Sequence, residues 1–136
     1  MSVRISASDW VPSGIEEDDV VAIAEAFREA GVDVVNVSTG QTASDEVPVY
    51  GRMYQATFSD LVRHRANVKT IVAGNIQSPD QVNTLIAAGR ADLIALARPH
   101  LDDPYFTFHA ARSQGVLDHP WPLPYHSVKL RPAAVP

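Results

Sequence analysis

The stretch ADLIALARPHLDDP, residues 91–104, runs from apolar residues straight into a cation and a proline. Leu93 to Ala97 are apolar without interruption, and Arg98 and Pro99 follow at once. A short apolar run that does not alternate with polar residues is typical of a strand buried on both faces, as in a parallel sheet. The stretch therefore predicts a buried parallel strand over 92–98 that ends at Arg98.

Three other runs have the same character. They are VRISA at 3–7, VDVVNVS at 32–38 and KTIVAG at 69–74. In addition, AGVDVVNVS at 30–38 resembles AGRADLIALA at 88–97, so a glycine, an aspartate and a strand recur in the same order. Four such strands separated by helical segments predict an α/β fold of four consecutive βα units, with parallel strands and right-handed crossovers.

Helical patterns fill the intervals between the strands. Before the first helix, Ser13 is followed three residues later by Glu16, which resembles a capping box, and Gly31 marks the helix end. Ser78 is the predicted N-cap of the third helix, and a fourth helix is predicted over 102–115. The first helix has a predicted apolar stripe, the second is marked by apolar residues, and the third has residues expected to face inward: Val20, Ile23, Ala24 and Phe27; Phe58, Leu61 and Val62; and Val82, Leu85 and Ile86, respectively.

The last stretch of the chain, 118–136, is dense in proline. Because proline lacks an amide donor and fixes φ, it excludes a regular helix or a central strand there. We expect Trp121 and Tyr125 to anchor the first half of this tail on the body. The residues from about Leu130 onward are expected to be mobile.

Composition excludes several classes of function. The 136 residues carry a formal net charge of -5 and contain no cysteine. Since affinity for nucleic acid depends on neutralising phosphates with Lys and Arg, nucleic acid is not an expected partner. Thiolate catalysis and cysteine-ligated metals are excluded within this chain. Without an apolar run of about 18 residues or a signal-peptide pattern, we expect a cytoplasmic protein with no membrane partner.

Candidate site residues follow the third and fourth predicted strands. In α/β barrels the functional groups lie at the carboxyl ends of the strands, and a phosphate site often lies in the loops after strands seven and eight. Gly74 and Asn75 end the third strand, and Ala97 and Arg98 end the fourth. A small residue lets the backbone approach an anion, and a guanidinium suits phosphate oxygens. Arg98 is therefore either a phosphate ligand or a surface partner of the aspartates at 102 and 103.

Four segments in this order carry a resemblance: VRISASD at 3–9, VDVVNVSTG at 32–40, VAGNI at 72–76 and GRADLIALARPHLDDPYF at 89–106. Together they resemble the C-terminal half of the old yellow enzyme family, which are FMN-dependent NAD(P)H oxidoreductases and ene-reductases on a TIM barrel. ARPHL and WPLPY look most like the flavin-reductase-like module of salicylyl-CoA 5-hydroxylase type bifunctional enzymes. The resemblance implies half of a TIM (β/α)8 barrel over 1–117, followed by the proline-rich tail over 118–136.

The resemblance also implies a set of FMN-binding residues. Arg4 matches the arginine that contacts flavin N1 and the C2 carbonyl, where a fixed cation stabilises the charge of reduced flavin. The turn at 74–75 matches the backbone that contacts the phosphate and ribityl end. The pair at 97–98 matches a Gly-Arg pair that holds the phosphate, with alanine here in place of glycine. The predicted cofactor-binding set is Arg4, Ser38, Gly74, Asn75, Ala97 and Arg98.

Part of the family pattern has no match in this chain. A complete barrel typically needs about 250 residues, and only four βα units are present. No residue matches the histidine pair that holds a substrate carbonyl in the family, and the 5 histidines show no metal spacing. We therefore predict no catalytic residue and no metal ligand. NAD(P)H is implied as the hydride donor, and the isolated chain is expected to have little activity.

A half-barrel has two open edges, here the strands VRISA and DLIALA, and an open inner face. Because exposed apolar edges recruit another strand, we expect the missing half from a second copy or another chain, with a homo-oligomer favoured. Two alternatives stay open: a non-catalytic half-barrel that binds FMN weakly or not at all, and an unrelated phosphate-binding half-barrel acting on sugar phosphates. The residues expected to line the inner face are Val35, Val37, Ile71 or Val72, and Ile94 or Leu96.

Overall fold

The computed structural model of the chain describes residues 1–116 and 118–129. The chain divides into two compact units, Met1–Leu96 and a second unit that begins at Ala97. The first unit holds one sheet and three helices, and the second holds the remaining short helices. Among the described residues, no helix combines the length and the apolar character that crossing a membrane requires.

One parallel sheet runs through the first unit. Its strands are β1 (Ser2–Ser6), β2 (Val34–Ser38), β3 (Lys69–Val72) and β4 (Leu93–Ile94), in the spatial order β1-β2-β3-β4. All neighbouring strands are parallel, and one row across the sheet consists of Arg4, Asn36, Ile71 and Leu93. Parallel neighbours that follow one another in the chain and are joined by helices are βα units, as the four apolar runs predict.

Three helices alternate with these strands: α1 (Glu17–Glu29), α2 (Ala56–Arg65) and α3 (Pro79–Ala87). The predicted apolar stripe of α1 is confirmed, because Val20 and Ala24 are fully buried and the other two members pack against the same cluster. In α2, Val62 is fully buried and its predicted neighbours pack beside it. These helices cover one face of the sheet.

The predicted start of α1 at Ser13 is wrong. The N-cap is Glu16, whose backbone amide donates to Asp19 Oδ2 at 3.1 Å. The amide of Ile15 donates to Asp9 Oδ2 at 2.9 Å, in the loop after β1. This hydrogen bond within the loop holds the turn at residues 13–15 outside the helix, so the Ser13 capping pattern does not decide where the helix begins.

The third helix begins as predicted and differs in one inward residue. Ser78 is the N-cap, and its Oγ accepts a hydrogen bond from the Gln81 amide at 3.3 Å. Leu85 is fully buried, and Val82 packs in the same cluster. Ile86, also expected to face inward, is 42% exposed. Successive helical residues are rotated by about 100°, and the inward stripe formed by Val82 and Leu85 leaves Ile86 turned toward solvent.

Only one face of the sheet is buried in the first unit, so the predicted burial of the strands on both faces is wrong. Side chains alternate between the two faces of a strand. Asn36 and Ile71 lie on the open face and are half-buried there. The other residues predicted for the open face belong instead to the buried clusters under the helices or pack beside them: Val35, Val37, Val72, Ile94 and Leu96.

The fourth strand is much shorter than the predicted span of 92–98. It contains only Leu93 and Ile94, and Leu93 is 54% exposed. The amide of Ala95 still donates to the Val72 carbonyl at 2.8 Å. Because β3 ends at Val72, no strand backbone lies beside the residues that follow, and the ladder stops there.

The helix predicted over 102–115 is present in shorter form, and a further helix that was not predicted precedes it. They are α4 (Arg98–Asp102) and α5 (Phe106–Ser113). Asp103 lies between them in an extended conformation, with φ -129° and ψ 95°. It precedes a proline, whose ring disfavours the helical conformation for the residue before it. The later start of the predicted helix, at Phe106 and not at residue 102, therefore follows from Pro104.

The proline-rich segment contains helix, contrary to the prediction. A 3₁₀ helix spans Leu123–Tyr125, and the single-turn helix α6 spans His126–Lys129. No proline occurs within α6, so its backbone amides are available for hydrogen bonding. The turn forms where the run of prolines is interrupted.

The predicted aromatic anchors of this segment are confirmed. The Trp121 ring lies 4.9 Å from the Phe108 ring of α5, measured between centroids. The Tyr125 ring lies 5.4 Å from the Tyr105 ring, and their hydroxyls are 2.7 Å apart. The predicted mobility from Leu130 onward falls outside the described residues.

Candidate functional site

The loops that follow β1 and β2 are bonded to each other. The amide of Ala7 donates to the Ser38 carbonyl at 2.7 Å, and the amide of Gly40 donates to the Ser8 carbonyl at 2.8 Å. These bonds continue the parallel pairing beyond the strands. We call this end of the sheet, where the strands finish, the carboxyl edge. The opposite end, where they begin, is the amino edge.

Two of the predicted site residues are in direct contact on the open face. Arg4 is exposed in the middle of β1, and its Nε donates to Ser38 Oγ at 3.1 Å. Ser38 Oγ in turn donates to the Ile5 carbonyl at 2.9 Å. Within residues 1–116 and 118–129, Arg4 forms no ion pair, whereas four other arginines do. Its charge is therefore available to a ligand on the open face.

Gly74 follows β3 at a position that requires glycine. Its φ is +97°, a conformation that glycine adopts without a steric penalty. A Cβ at this position would lie 2.5 Å from Gln55 Nε2 and 2.9 Å from Tyr54 Cε1. We expected a small residue here so that a ligand could approach the backbone. The close approach that the structure shows is made by the buried Gln55 side chain instead.

The turn at Gly74 and Asn75 presents two amides that lack acceptors in the described part of the chain. Asn75 has φ +51°, and its Nδ2 donates to the Gly51 carbonyl at 2.9 Å. The Asn75 carbonyl accepts a hydrogen bond from the Met53 amide at 3.2 Å. The segment before α2 therefore holds this turn, while two adjacent N–H groups stay available to an anion.

Asp9 joins the loop after β1 to the loop after β2. Its Oδ1 accepts a hydrogen bond from the Thr42 hydroxyl at 2.6 Å, and its Oδ2 accepts one from the Ile15 amide at 2.9 Å. The Thr42 bond, and after it the Ile15 bond, lower the pKa of the Asp9 carboxyl below its ordinary value. Asp9 is therefore ionised at neutral pH and fixes the shape of the carboxyl edge.

Four buried polar atoms of the first unit have no hydrogen-bond partner among the described residues. An unpaired buried polar atom costs about 1–3 kcal/mol, so such atoms often mark a place that a ligand or water completes. None of the four was predicted from the sequence. For Asn36 the sequence does contain a signal, because it is the one amide side chain among the valines of β2. For the other three residues, which lie outside the strands, the sequence contains none. The atoms are Trp10 Nε1, Asn36 Oδ1, Thr39 Oγ1 and Gln55 Oε1.

The second unit contains the other two predicted site residues. Ala97 is the N-cap of α4, and Arg98 is its first residue. Arg98 therefore begins a helix and does not lie at the end of a strand, as we had predicted. The alternative, an ion pair of Arg98 with Asp102 or Asp103, is also not seen among the described residues, and Asp103 Oδ2 instead lies 2.7 Å from His109 Nδ1.

Two cavities of the first unit lie at the amino edge. One of about 620 Å³ lies between the ends of α1 and α2 and the starts of β2, β3 and β4. Another of about 360 Å³ lies beside it and is lined by Arg63, His64 and Lys69, among others. No member of the predicted cofactor-binding set lines either cavity.

Residues 1–115 match the model of a protein family described as the NADH:flavin oxidoreductase / NADH oxidase family. The NADPH dehydrogenase of Geobacillus sp. (strain WCH70) is 41% identical over 113 residues, which are 83% of this chain and 33% of that protein. The NADPH dehydrogenase of Bacillus subtilis (strain 168) is 32% identical over 123 residues, 90% of this chain and 36% of that protein. The chain thus spans about a third of the length of the curated relatives it matches.

A solved structure, histamine dehydrogenase from Rhizobium sp. 4-9, matches with a TM-score of 0.65 and 20% sequence identity. The match covers 84% of this chain and 16% of that chain. At this identity the likeness concerns the fold alone. It confirms the predicted α/β class, with four parallel strands that alternate with helices in the manner of a half TIM barrel.

Proposed function

Since the chain belongs to the NADH:flavin oxidoreductase / NADH oxidase family, we propose that it is the FMN-binding segment of an NAD(P)H-dependent oxidoreductase of the old yellow enzyme type. When bound, FMN would take a hydride from NAD(P)H and pass it to an acceptor. One observation carries the proposal. Arg4, which has no carboxylate partner among the described residues, lies on the open sheet face, and the two available amides of Gly74 and Asn75 follow β3 at the carboxyl edge of the same sheet.

Arg4 suits the pyrimidine end of a flavin. Its guanidinium carries a permanent charge and can donate two parallel hydrogen bonds to adjacent acceptors. A cation held beside N1 and the C2 carbonyl stabilises the negative charge of reduced flavin and so raises its reduction potential. The side chain is exposed on the open face, so a flat ring can reach it without displacing the core.

The turn at Gly74 and Asn75 suits the phosphate end. Two successive backbone N–H groups form a concavity that favours an anion. The segment before α2 already holds the turn, through the Met53 amide and the Gly51 carbonyl. The amides would therefore receive a phosphate with little rearrangement of the backbone.

Ala97 and Arg98 are proposed as further phosphate ligands on the strength of the resemblance alone. The likeness to salicylyl-CoA 5-hydroxylase type enzymes also rests on the segments ARPHL and WPLPY alone and stays a prediction, as does a cytoplasmic location. The relatives are named NADPH dehydrogenase, so NADPH is the first donor to test. Oxidation of NADPH in the presence of FMN would distinguish an active enzyme from a non-catalytic module.

We also propose that the first unit needs a second half-barrel. In the part of the chain that the structure describes, β1 and β4 each have one neighbouring strand, and Leu93 on β4 is 54% exposed. Strand edges of this kind pair with another chain. A second copy or another chain would supply the missing half and the donors for a substrate carbonyl. Light scattering at micromolar concentration tests this, and a monomer that binds no apolar dye would contradict it.

The main test compares the binding of FMN and riboflavin by fluorescence quenching. Because the amides address the phosphate, FMN should bind about tenfold more tightly than riboflavin, which has none. Arg4→Ala should weaken both ligands by a similar factor, since Arg4 addresses the ring. Arg65→Ala is the matched control, because Arg65 is an exposed arginine paired with Asp18. Absence of binding by the wild-type chain would favour the non-catalytic module.

A further inference from the structure

The hydrogen bonds around Ser38 have a fixed direction. Ser38 Oγ lies 2.9 Å from the Ile5 carbonyl, which can only accept. The single hydroxyl proton is therefore used in that bond, and the oxygen lone pairs are left for the Arg4 Nε–H at 3.1 Å. The order of donation is Arg4 to Ser38 to the Ile5 carbonyl.

Both ends of this chain of hydrogen bonds stand on paired strands. Ser38 is directly opposite Ser6 in the parallel register, and Arg4 is opposite Asn36. The hydroxyl thus reaches Arg4 diagonally across two strands whose backbones are bonded together. Neither partner depends on a loop for its position.

This geometry decides which part of Arg4 faces a ligand. An arginine side chain is rich in rotamers, and it loses much of that freedom when it is held in one geometry. A bond at Nε fixes the plane of the guanidinium and leaves the two Nη groups for another acceptor. Within the described residues, neither Nη of Arg4 has a hydrogen-bond partner.

We propose that Ser38 is a positioning residue that holds the Arg4 guanidinium ready for the ligand and does not itself contact it. This inference rests on the proposed flavin site and changes the role predicted for Ser38, from a cofactor ligand to the support of one. A residue of this kind acts only while Arg4 is present. Its effect on binding should therefore disappear when Arg4 is removed.

The first experiment needs no cofactor. The Nε–H signal of Arg4 in the nitrogen-15 labelled chain, assigned with Arg4→Lys, should show the dynamics of a held side chain. In Ser38→Ala, the Arg4 Nε–H signal should show the dynamics of a mobile side chain. Ser38→Thr keeps the hydroxyl on a β-branched residue and should restore the restricted dynamics of Arg4. Ser6→Ala is the matched control, because Ser6 is opposite Ser38 and its hydroxyl donates to the Ser8 carbonyl instead. An unchanged Arg4 signal in Ser38→Ala would overturn the inference.

The second experiment is a double-mutant cycle on FMN affinity. Ser38→Ala should weaken FMN by about three- to tenfold in the wild-type background and have no effect in the Arg4→Ala background. A loss that persists without Arg4 would show that Ser38 contacts the ligand itself, and would overturn the positioning role. Failure of the wild-type chain to bind FMN would instead overturn the proposed function, and with it the ligand side of this inference. An intact wild-type affinity with no Ser38→Ala effect overturns the inference alone.

Discussion

The two edges of the sheet in the first unit differ in how fully their polar groups are paired. At the amino edge, Asp92 accepts hydrogen bonds from Arg63 Nε at 3.0 Å and Nη2 at 3.1 Å. The same carboxylate accepts the Thr70 amide at 2.9 Å, so it joins a helix to the start of β3. Nearby, Arg28 Nη1 donates to the Ala66 carbonyl at the end of α2. These three charged side chains at the amino edge are used within the fold.

The carboxyl edge has the opposite character. Among the described residues, three of the four unpaired buried polar atoms belong to segments at or in contact with this edge (Trp10, Thr39 and Gln55), and two adjacent amides there lack acceptors. Left-handed backbone in residues other than glycine, which costs about 1–3 kcal/mol each, is also concentrated there. In barrel enzymes the amino face serves stability and the carboxyl face carries the chemistry. Because the paired and the unpaired polar groups lie at opposite edges of the sheet, stability and ligand binding can be tested separately in this chain. The left-handed residues are Trp10, Gln41, Met53 and Asn75 near the carboxyl edge, against Asn67 at the amino edge.

The largest effect is expected at Gly74. Gly74→Ala must keep φ +97° and place a Cβ 2.5 Å from Gln55 Nε2. Left-handed strain and overpacking together should lower the free energy of unfolding by about 2–4 kcal/mol. Urea denaturation followed by circular dichroism measures the loss.

Gly89→Ala at the amino edge is the matched control for this change. Gly89 has φ +68°, but its absent Cβ would meet only Arg63 Nη1 at 3.7 Å. This variant should lose about 1 kcal/mol, from strain alone. Gln55→Ala in the Gly74→Ala background should recover part of the larger loss by removing the amide that the Cβ meets. Equal losses of unfolding free energy in Gly74→Ala and Gly89→Ala would contradict the view that the backbone at the carboxyl edge is the more tightly constrained of the two.

Gly74 also shows how far the sequence could predict this structure. The apolar runs, the Ser78 cap and the glycine at the end of β3 are local signals, and the elements that they predict are present. The neighbour that makes glycine necessary is not local. Gln55 comes from the segment before α2, and its contact with Gly74 is set by the packing of two βα units. No pattern within either segment indicates it.

Which strand residues face the helices could not be predicted either, for a related reason. A run such as VDVVNVS does not alternate, so its pattern does not indicate which residues face the helices. Val35 and Val37 were therefore assigned to the open face, where the structure has Asn36. The resemblance supplied Arg4 and Ser38, but their contact depends on the register between β1 and β2. Register is a property of paired strands and cannot be read from one of them.

The second effect tests the amino edge through pH. The hydrogen bond from Arg63, more than that from the Thr70 amide, lowers the pKa of the Asp92 carboxyl. A carboxyl with a lowered folded pKa stabilises the fold above its unfolded pKa of about 4. That contribution is lost as pH falls through the folded pKa. Asp92→Asn should therefore cost about 1–3 kcal/mol at pH 7 and progressively less in acid below pH 4 or so.

The control for Asp92 is its partner. In an Arg63→Met background, Asp92→Asn should cost less, because the charge pair is already absent and only the bond to the Thr70 amide is affected. Denaturation curves at pH 7 and at about pH 3, below the unfolded pKa of Asp, give both comparisons. A cost that is the same at both pH values would show that the ion pair is not its source.

The smallest effect is expected at Asp9, the corresponding carboxylate of the carboxyl edge. The hydrogen bond from Thr42, and then that from the Ile15 amide, lower the pKa of Asp9, so its contribution has the same sign as that of Asp92 and is also lost in acid. Asp9 joins two loops near solvent, and Asp9→Asn keeps an acceptor for one of its two bonds, so the cost at pH 7 should be below about 1 kcal/mol. Thr42→Val removes the largest cause of the shift and should raise the pKa of Asp9 in a carboxyl NMR titration with little change in stability. If Asp9→Asn costs as much as Asp92→Asn, the carboxyl edge carries as much of the stability as the amino edge, and the division of roles between them fails.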